Sequence, residues 1–138
     1  MKKTFEIQVL TYFSICMIIF YGCKKDPGIP IVKTTEASAI TTTTSSTGGL
    51  VTSDGGSDVV SRGVCWSTVP FPTIDNSKIA GGAGTGSFTI VLSGLTENTT
   101  YYARAYAINN AGIGYGNEIS FTTAYIVIPA SGETTMLY

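Results

Sequence analysis

Leu95-Thr96-Glu97-Asn98-Thr99-Thr100-Tyr101 runs straight into Tyr102-Ala103-Arg104-Ala105-Tyr106-Ala107-Ile108, and that junction decides the fold. The first half carries turn residues, with Glu97-Asn98 set among hydroxyl side chains. The second half alternates. Tyr101, Ala103, Ala105 and Ala107 fall on one face of an extended chain, and Tyr102, Arg104, Tyr106 and Ile108 fall on the other. A period of two, rich in aromatics and bounded by a turn, predicts a half-buried strand.

The pattern spreads in both directions. Strands are expected at residues 31–36, 40–52, 59–68, 73–80, 87–92, 101–108 and 115–122. The Thr-rich run 40–52 is the most weakly patterned of them. Turn clusters lie between: Ser53-Asp54-Gly55-Gly56, Val69-Pro70-Phe71-Pro72, Gly81 to Gly86, Glu97-Asn98, and Asn109-Asn110-Ala111-Gly112. After Cys23 no stretch places apolar residues at helical spacing. Seven short strands over roughly 90 residues predict an all-β sandwich. Its expected core is Val64, Trp66, Phe88, Ile90, Leu92, Leu95, Tyr101, Ala103, Ala105, Ile119 and Phe121, with Trp66 large enough to organise it.

Composition narrows the chemistry. The 138 residues suffice for one domain, and 12% are charged, with Lys+Arg 8 against Asp+Glu 9. That balance leaves no basic stripe for phosphates, so no nucleic-acid partner is expected. There is no His. The usual general base, the commonest metal ligand and any Ser-His or Cys-His pair are therefore missing. No metal, cofactor or catalytic residue is expected.

Residues 1–22 read as an export signal. Lys2 and Lys3 precede an apolar run from Val9 to Tyr21, broken only by Thr11 and Ser14, and charge returns at Lys24. The run is about 13 residues, short of the roughly 20 a spanning helix needs. A signal-peptide helix over 1–22, a tether over 23–30, a domain over 31–123 and a tail or extra strand over 124–138 are expected.

Two resemblances sharpen the reading. Phe20-Tyr21-Gly22-Cys23 resembles a lipobox, with Phe20 where Leu is usual. With the following Lys-Lys-Asp-Pro it is similar to lipoproteins of the Bacteroidetes group. That implies a lipid anchor (palmitate among its acyl chains) on Cys23, cleavage before it and outer-membrane residence; either face of that membrane stays open. Leu95 and Tyr101, six apart, resemble the tyrosine corner of fibronectin type III domains, with Glu97 where Pro is usual. Arg62 to Thr68, Arg104 to Gly112 and Gly116 to Thr123 are similar to fibronectin-like repeats of Bacteroidetes surface proteins. Over residues 31–123 this implies a seven-stranded fibronectin type III or Ig-like sandwich whose Tyr101 hydroxyl bonds to backbone upstream.

Several motifs offer chemistry and have plainer readings. Gly81-Gly82-Ala83-Gly84-Thr85-Gly86 has neither the Lys nor the following helix of a phosphate loop, and reads as a flexible connection. Asp54-Gly55-Gly56-Ser57-Asp58 offers too few oxygens for calcium and reads as a turn. Asn98-Thr99-Thr100 matches a glycosylation triplet but reads as the turn before Tyr101. Cys65 should point away from the core, opposite Val64 and Trp66. Tyr102, Arg104 and Tyr106 share the outer face of their strand, and with Phe71 they form the candidate binding surface. The alternative there is packing, with Arg104 paired to Glu118. The chain is expected to be a non-catalytic, membrane-anchored envelope module for binding, adhesion or spacing. Its protein or glycan partner is open, and a carbohydrate-binding accessory role is the alternative.

Overall fold

The computed structural model describes residues 25–129 and 135–137. The expected signal segment, Cys23 and Lys24 lie outside the described residues. Among the described residues there are ten strands: β1 (Ile31–Ser38), β2 (Ser45–Ser53), β3 (Ser61–Ser67), β4 (Ser77–Ala80), β5 (Gly86–Leu92), β6 (Thr100–Asn109), β7 (Gly112–Tyr115), β8 (Ile119–Thr122), β9 (Tyr125–Val127) and β10 (Thr135–Leu137). Every described pairing is antiparallel. One sheet runs β1-β2-β5. The other runs β4-β3-β6, with β7 and β8 both hydrogen-bonded to β6. The two stack as a sandwich, and β9 with β10 makes a separate two-stranded ribbon.

The ribbon of β9 and β10 lies in the expected tail, and within the sandwich the expected seven strands become eight for a local reason. Tyr106 pairs with Tyr115 in β7, whereas Ala103 pairs with Ile119 in β8, a one-residue offset in register. Gly116-Asn117-Glu118 is therefore a β-bulge that splits one strand position in two. The bulge would orphan the Ala105 N–H at the centre of the sheet. Thr34, reaching across from β1, accepts that N–H on its hydroxyl at 3.0 Å, and its own N–H goes to Asn117 Oδ1 at 3.0 Å. A Cβ on residue 116 would run into Thr34, so the crossing needs Gly116.

Two other boundaries moved because side chains capped the backbone. The Thr41 hydroxyl accepts the N–H groups of Thr43 and Thr44 at 3.2 and 2.9 Å, which holds residues 41–44 in a turn and delays β2 to Ser45. Asn76 Oδ1 accepts the Thr73 N–H at 2.9 Å and delays β4 to Ser77.

The core lies between the facing sheets. Val64, Ile90, Leu92, Leu95, Tyr101, Ala103, Ile119 and Phe121 form its main cluster, and Val51, Val59 and Ala107 form a second. The alanines of β6 keep its inner face low where the other sheet crosses. Trp66 and Phe88 are corrections: both are half-buried and pack on the rim of the cluster. Trp66 sits near the end of β3, opposite Ser77 and Ala103.

Strand directions give the molecule two distinct ends. The first end gathers the β2–β3 turn, the β6–β7 turn and the start of β1. The second gathers the β1–β2 turn, the β3–β4 loop and the β5–β6 crossing.

Candidate functional site

The second end begins with the β5–β6 crossing. Leu95 is buried, and the Tyr101 hydroxyl accepts the Thr96 N–H at 2.9 Å. The Tyr101 ring stacks on Phe121 with centroids 5.9 Å apart. Thr123 adds bonds from its hydroxyl to the carbonyls of Thr96 and Thr99 at 2.6 and 3.2 Å. The crossing is thus a fixed shelf. Beside it a shallow depression of about 520 Å³ is lined by Ser38, Ala39, Ile40, Thr41, Thr122 and Ala124, none of which ionises.

The face expected to bind is largely occupied by the chain's own β3–β4 loop. Tyr106 is only 3% exposed, and its ring lies over its ladder partner Gly63. Burial pushes its phenol up, with the Ser61 hydroxyl partly offsetting the shift. Arg104 is half-buried. Its Nε donates to the Gly116 carbonyl at 3.0 Å, and its guanidinium stacks 4.6 Å from the Tyr115 ring centroid. The Tyr115 hydroxyl in turn accepts the Ile74 N–H at 3.1 Å. Glu118 does not take the role of partner to Arg104; its carboxylate accepts the Phe71 N–H. Of the three β6 residues, Tyr102 stays half-exposed near the start of the strand. Packing, the plainer of the two expectations for this face, describes Arg104 and Tyr106.

Cys65 does lie on the outer face, yet it is fully buried. Pro72 covers it, with Sγ 3.6 Å from the Pro72 carbonyl and 3.5 Å from that of Arg104. Burial raises its thiol pKa, and Arg104 counters this only in part. The thiol is thereby held neutral and shielded from solvent.

That same loop presents Phe71 to solvent. Phe71 is 72% exposed and sits at φ 59°, a left-handed conformation costly for an aromatic residue. Pro72 buried beneath it and the Glu118 carboxylate on its N–H hold it there. Val69, two residues earlier in the same loop, is also exposed. Sequence reading marked Phe71 but could not supply its support, because Pro72, Glu118 and Tyr115 meet only in three dimensions.

The glycine-rich run is also tied down, where a flexible connection was expected. Arg62 Nη1 donates to the carbonyls of Gly84, Thr85 and Gly86 at 3.2, 2.7 and 3.3 Å, and its guanidinium lies 5.1 Å from the Phe88 ring centroid. The Asp54 carboxylate accepts the Gly56 N–H at 2.8 Å and makes a plain turn. Among the described residues no group of three metal-ligating side chains converges.

No family model matches the sequence, and no curated protein matches it. Solved structures do. The solution structure of a fourth human FNIII domain matches with a TM-score of 0.53 and 20% identity, over 80% of this chain and 89% of that one. The sixth fibronectin type III domain from human fibronectin type III domain containing protein 3 matches with a TM-score of 0.47 and 22% identity, over 70% and 82%. A fibronectin type III domain derived from the human KIAA0970 protein matches with a TM-score of 0.47 and 22% identity, over 67% and 72%. At these identities the likeness is one of fold: the domain is an all-β, fibronectin type III-like sandwich.

Proposed function

We propose that this chain is a non-catalytic cell-envelope lipoprotein, anchored in the outer membrane through Cys23, whose fibronectin type III-like module acts as a binding, adhesion or spacer domain. The fold supports the module, and the sequence Phe20-Tyr21-Gly22-Cys23 after an apolar run supports the anchor. The observation that carries the binding reading is Phe71. A large aromatic is held exposed in a strained backbone conformation by Pro72 and Glu118. Strain kept at a surface residue points to a use for that residue.

Mass spectrometry of the mature protein tests the anchor. Acyl chains on Cys23 as the first residue are expected, and an unmodified start elsewhere removes the anchor. Capture of envelope components on residues 25–138, compared with the Phe71→Ala form, tests the binding role. Loss of capture in the variant is expected. Equal capture by both moves the contact away from the loop.

The carbohydrate-binding alternative rests on Phe71 and the half-exposed Tyr102, because Tyr106 is buried and Arg104 is engaged. A glycan array on the soluble domain separates it from the first reading. Retention of no glycan removes it.

A further inference from the structure

We infer that the first end of the sandwich rests on the lipid surface beside the anchor, through Ile29, Ile31 and Val60, so that the Phe71 end is held pointing away. This rests on the proposed acylation of Cys23. It goes further by fixing which end of the domain meets the bilayer.

The tether does not swing free up to Ile31. It is docked from Gly28 onward. The Gly28 N–H donates to the Gly55 carbonyl at 2.8 Å, and the Gly28 carbonyl accepts from Asn109 Nδ2 at 2.8 Å. The same Nδ2 donates to the Asp54 carbonyl at 2.7 Å, and Asn109 Oδ1 accepts the N–H groups of Ala111 and Gly112 at 2.8 and 3.1 Å. Asn109 is itself 5% exposed, so this clamp is interior. Pro30 is buried, and its carbonyl lies where a Cβ on Gly114 would be. The β2–β3 turn, the β6–β7 turn and the tether therefore form one fixed end.

Only the steps from Cys23 to Gly28 remain to link lipid and domain. Fully extended they reach about 18 Å. The ten-residue strand β6 alone runs about 30 Å from one end of the sandwich to the other. The free length is too short for the domain to stand inverted, with the Phe71 end down and the first end about 30 Å above the bilayer.

The end so placed is also chemically suited to a lipid surface. Ile29, Ile31 and Val60 are 53%, 62% and 62% exposed at this end, and Lys25 and Asp26 line one recess with Ile29 and Ile31. Branched apolar side chains with a lysine at their margin match the boundary between acyl chains and headgroups.

The test uses the full acylated protein, in a Cys65→Ala background, in vesicles of phosphatidylethanolamine and phosphatidylglycerol carrying a nitroxide-headgroup lipid. An environment-sensitive fluorophore is placed on Val60→Cys in one sample and Phe71→Cys in another. Both positions are exposed, and circular dichroism verifies the fold. Strong quenching at position 60 and little at 71 is expected. Inserting ten Gly/Ser residues between Pro27 and Gly28 should shrink the difference. Equal quenching of the two labels in protein that floats with the vesicles overturns the orientation and leaves the anchor standing. Protein whose Cys23 carries no acyl mass overturns both.

Discussion

Thr34 shows how much one side chain can settle in a sheet. Its hydroxyl occupies the place a ladder carbonyl would fill for Ala105 had the bulge not displaced the partner strand. Thr34→Val leaves a buried N–H unpaired and should cost about 1–3 kcal/mol in urea unfolding, while Thr34→Ser should recover most of that. Cys65 and Tyr106 make a second residue-scale case. Both have pKa values raised by burial above their ordinary 9.0 and 10.0. The unfolded chain then ionises first, so their contribution is complete below about pH 9 and drains away as pH rises toward the raised values. The urea midpoint should fall as pH rises past about 9, and Cys65→Ala should flatten the early part of that fall. The alternation around Val64 and Trp66 puts Cys65 on the outer face, where it is found. Its burial was not legible, because Pro72 covers it from a loop whose path no local pattern encodes.

The elements follow the same division. Strands β3, β5 and β6 were legible from period two and from their bounding turns, since one face of each must be dry. The start of β2 was not, because a Thr-rich run serves equally as strand or as side-chain-capped turn, and Thr41 chose the turn. The loop between β3 and β4 turns a possible binding face into a support for Phe71. Phe71→Gly releases the left-handed strain, of order 1 kcal/mol, and should leave stability equal or higher while lowering capture of a partner. A fall in both would make Phe71 a packing residue instead. The Gly81–Gly86 segment depends on Arg62 in a comparable way. Arg62→Met should cost about 1–2 kcal/mol and speed amide exchange at Gly84, whose N–H bonds to the Val59 carbonyl at 2.9 Å.

At the scale of the whole molecule, the domain is a stiff body with unlike ends. One end is clamped to the tether through Asn109, and the other carries the aromatic loop. Asn109→Ala removes four hydrogen bonds at a buried junction and should lower stability by about 2–3 kcal/mol, with early loss of protection at the Gly28 amide. The clamp escaped sequence reading because Gly28, Asp54 and Asn109 are far apart along the chain, and each reads locally as ordinary turn material. A sandwich of this kind has its functional meaning set by where it is held. Detergent phase partitioning of the wild-type protein and its Cys23→Ser form, both produced with residues 1–22 in an exporting bacterial host, measures that most directly. The wild type should enter the detergent phase and the variant the aqueous phase; finding both in the aqueous phase would contradict the anchored-module account.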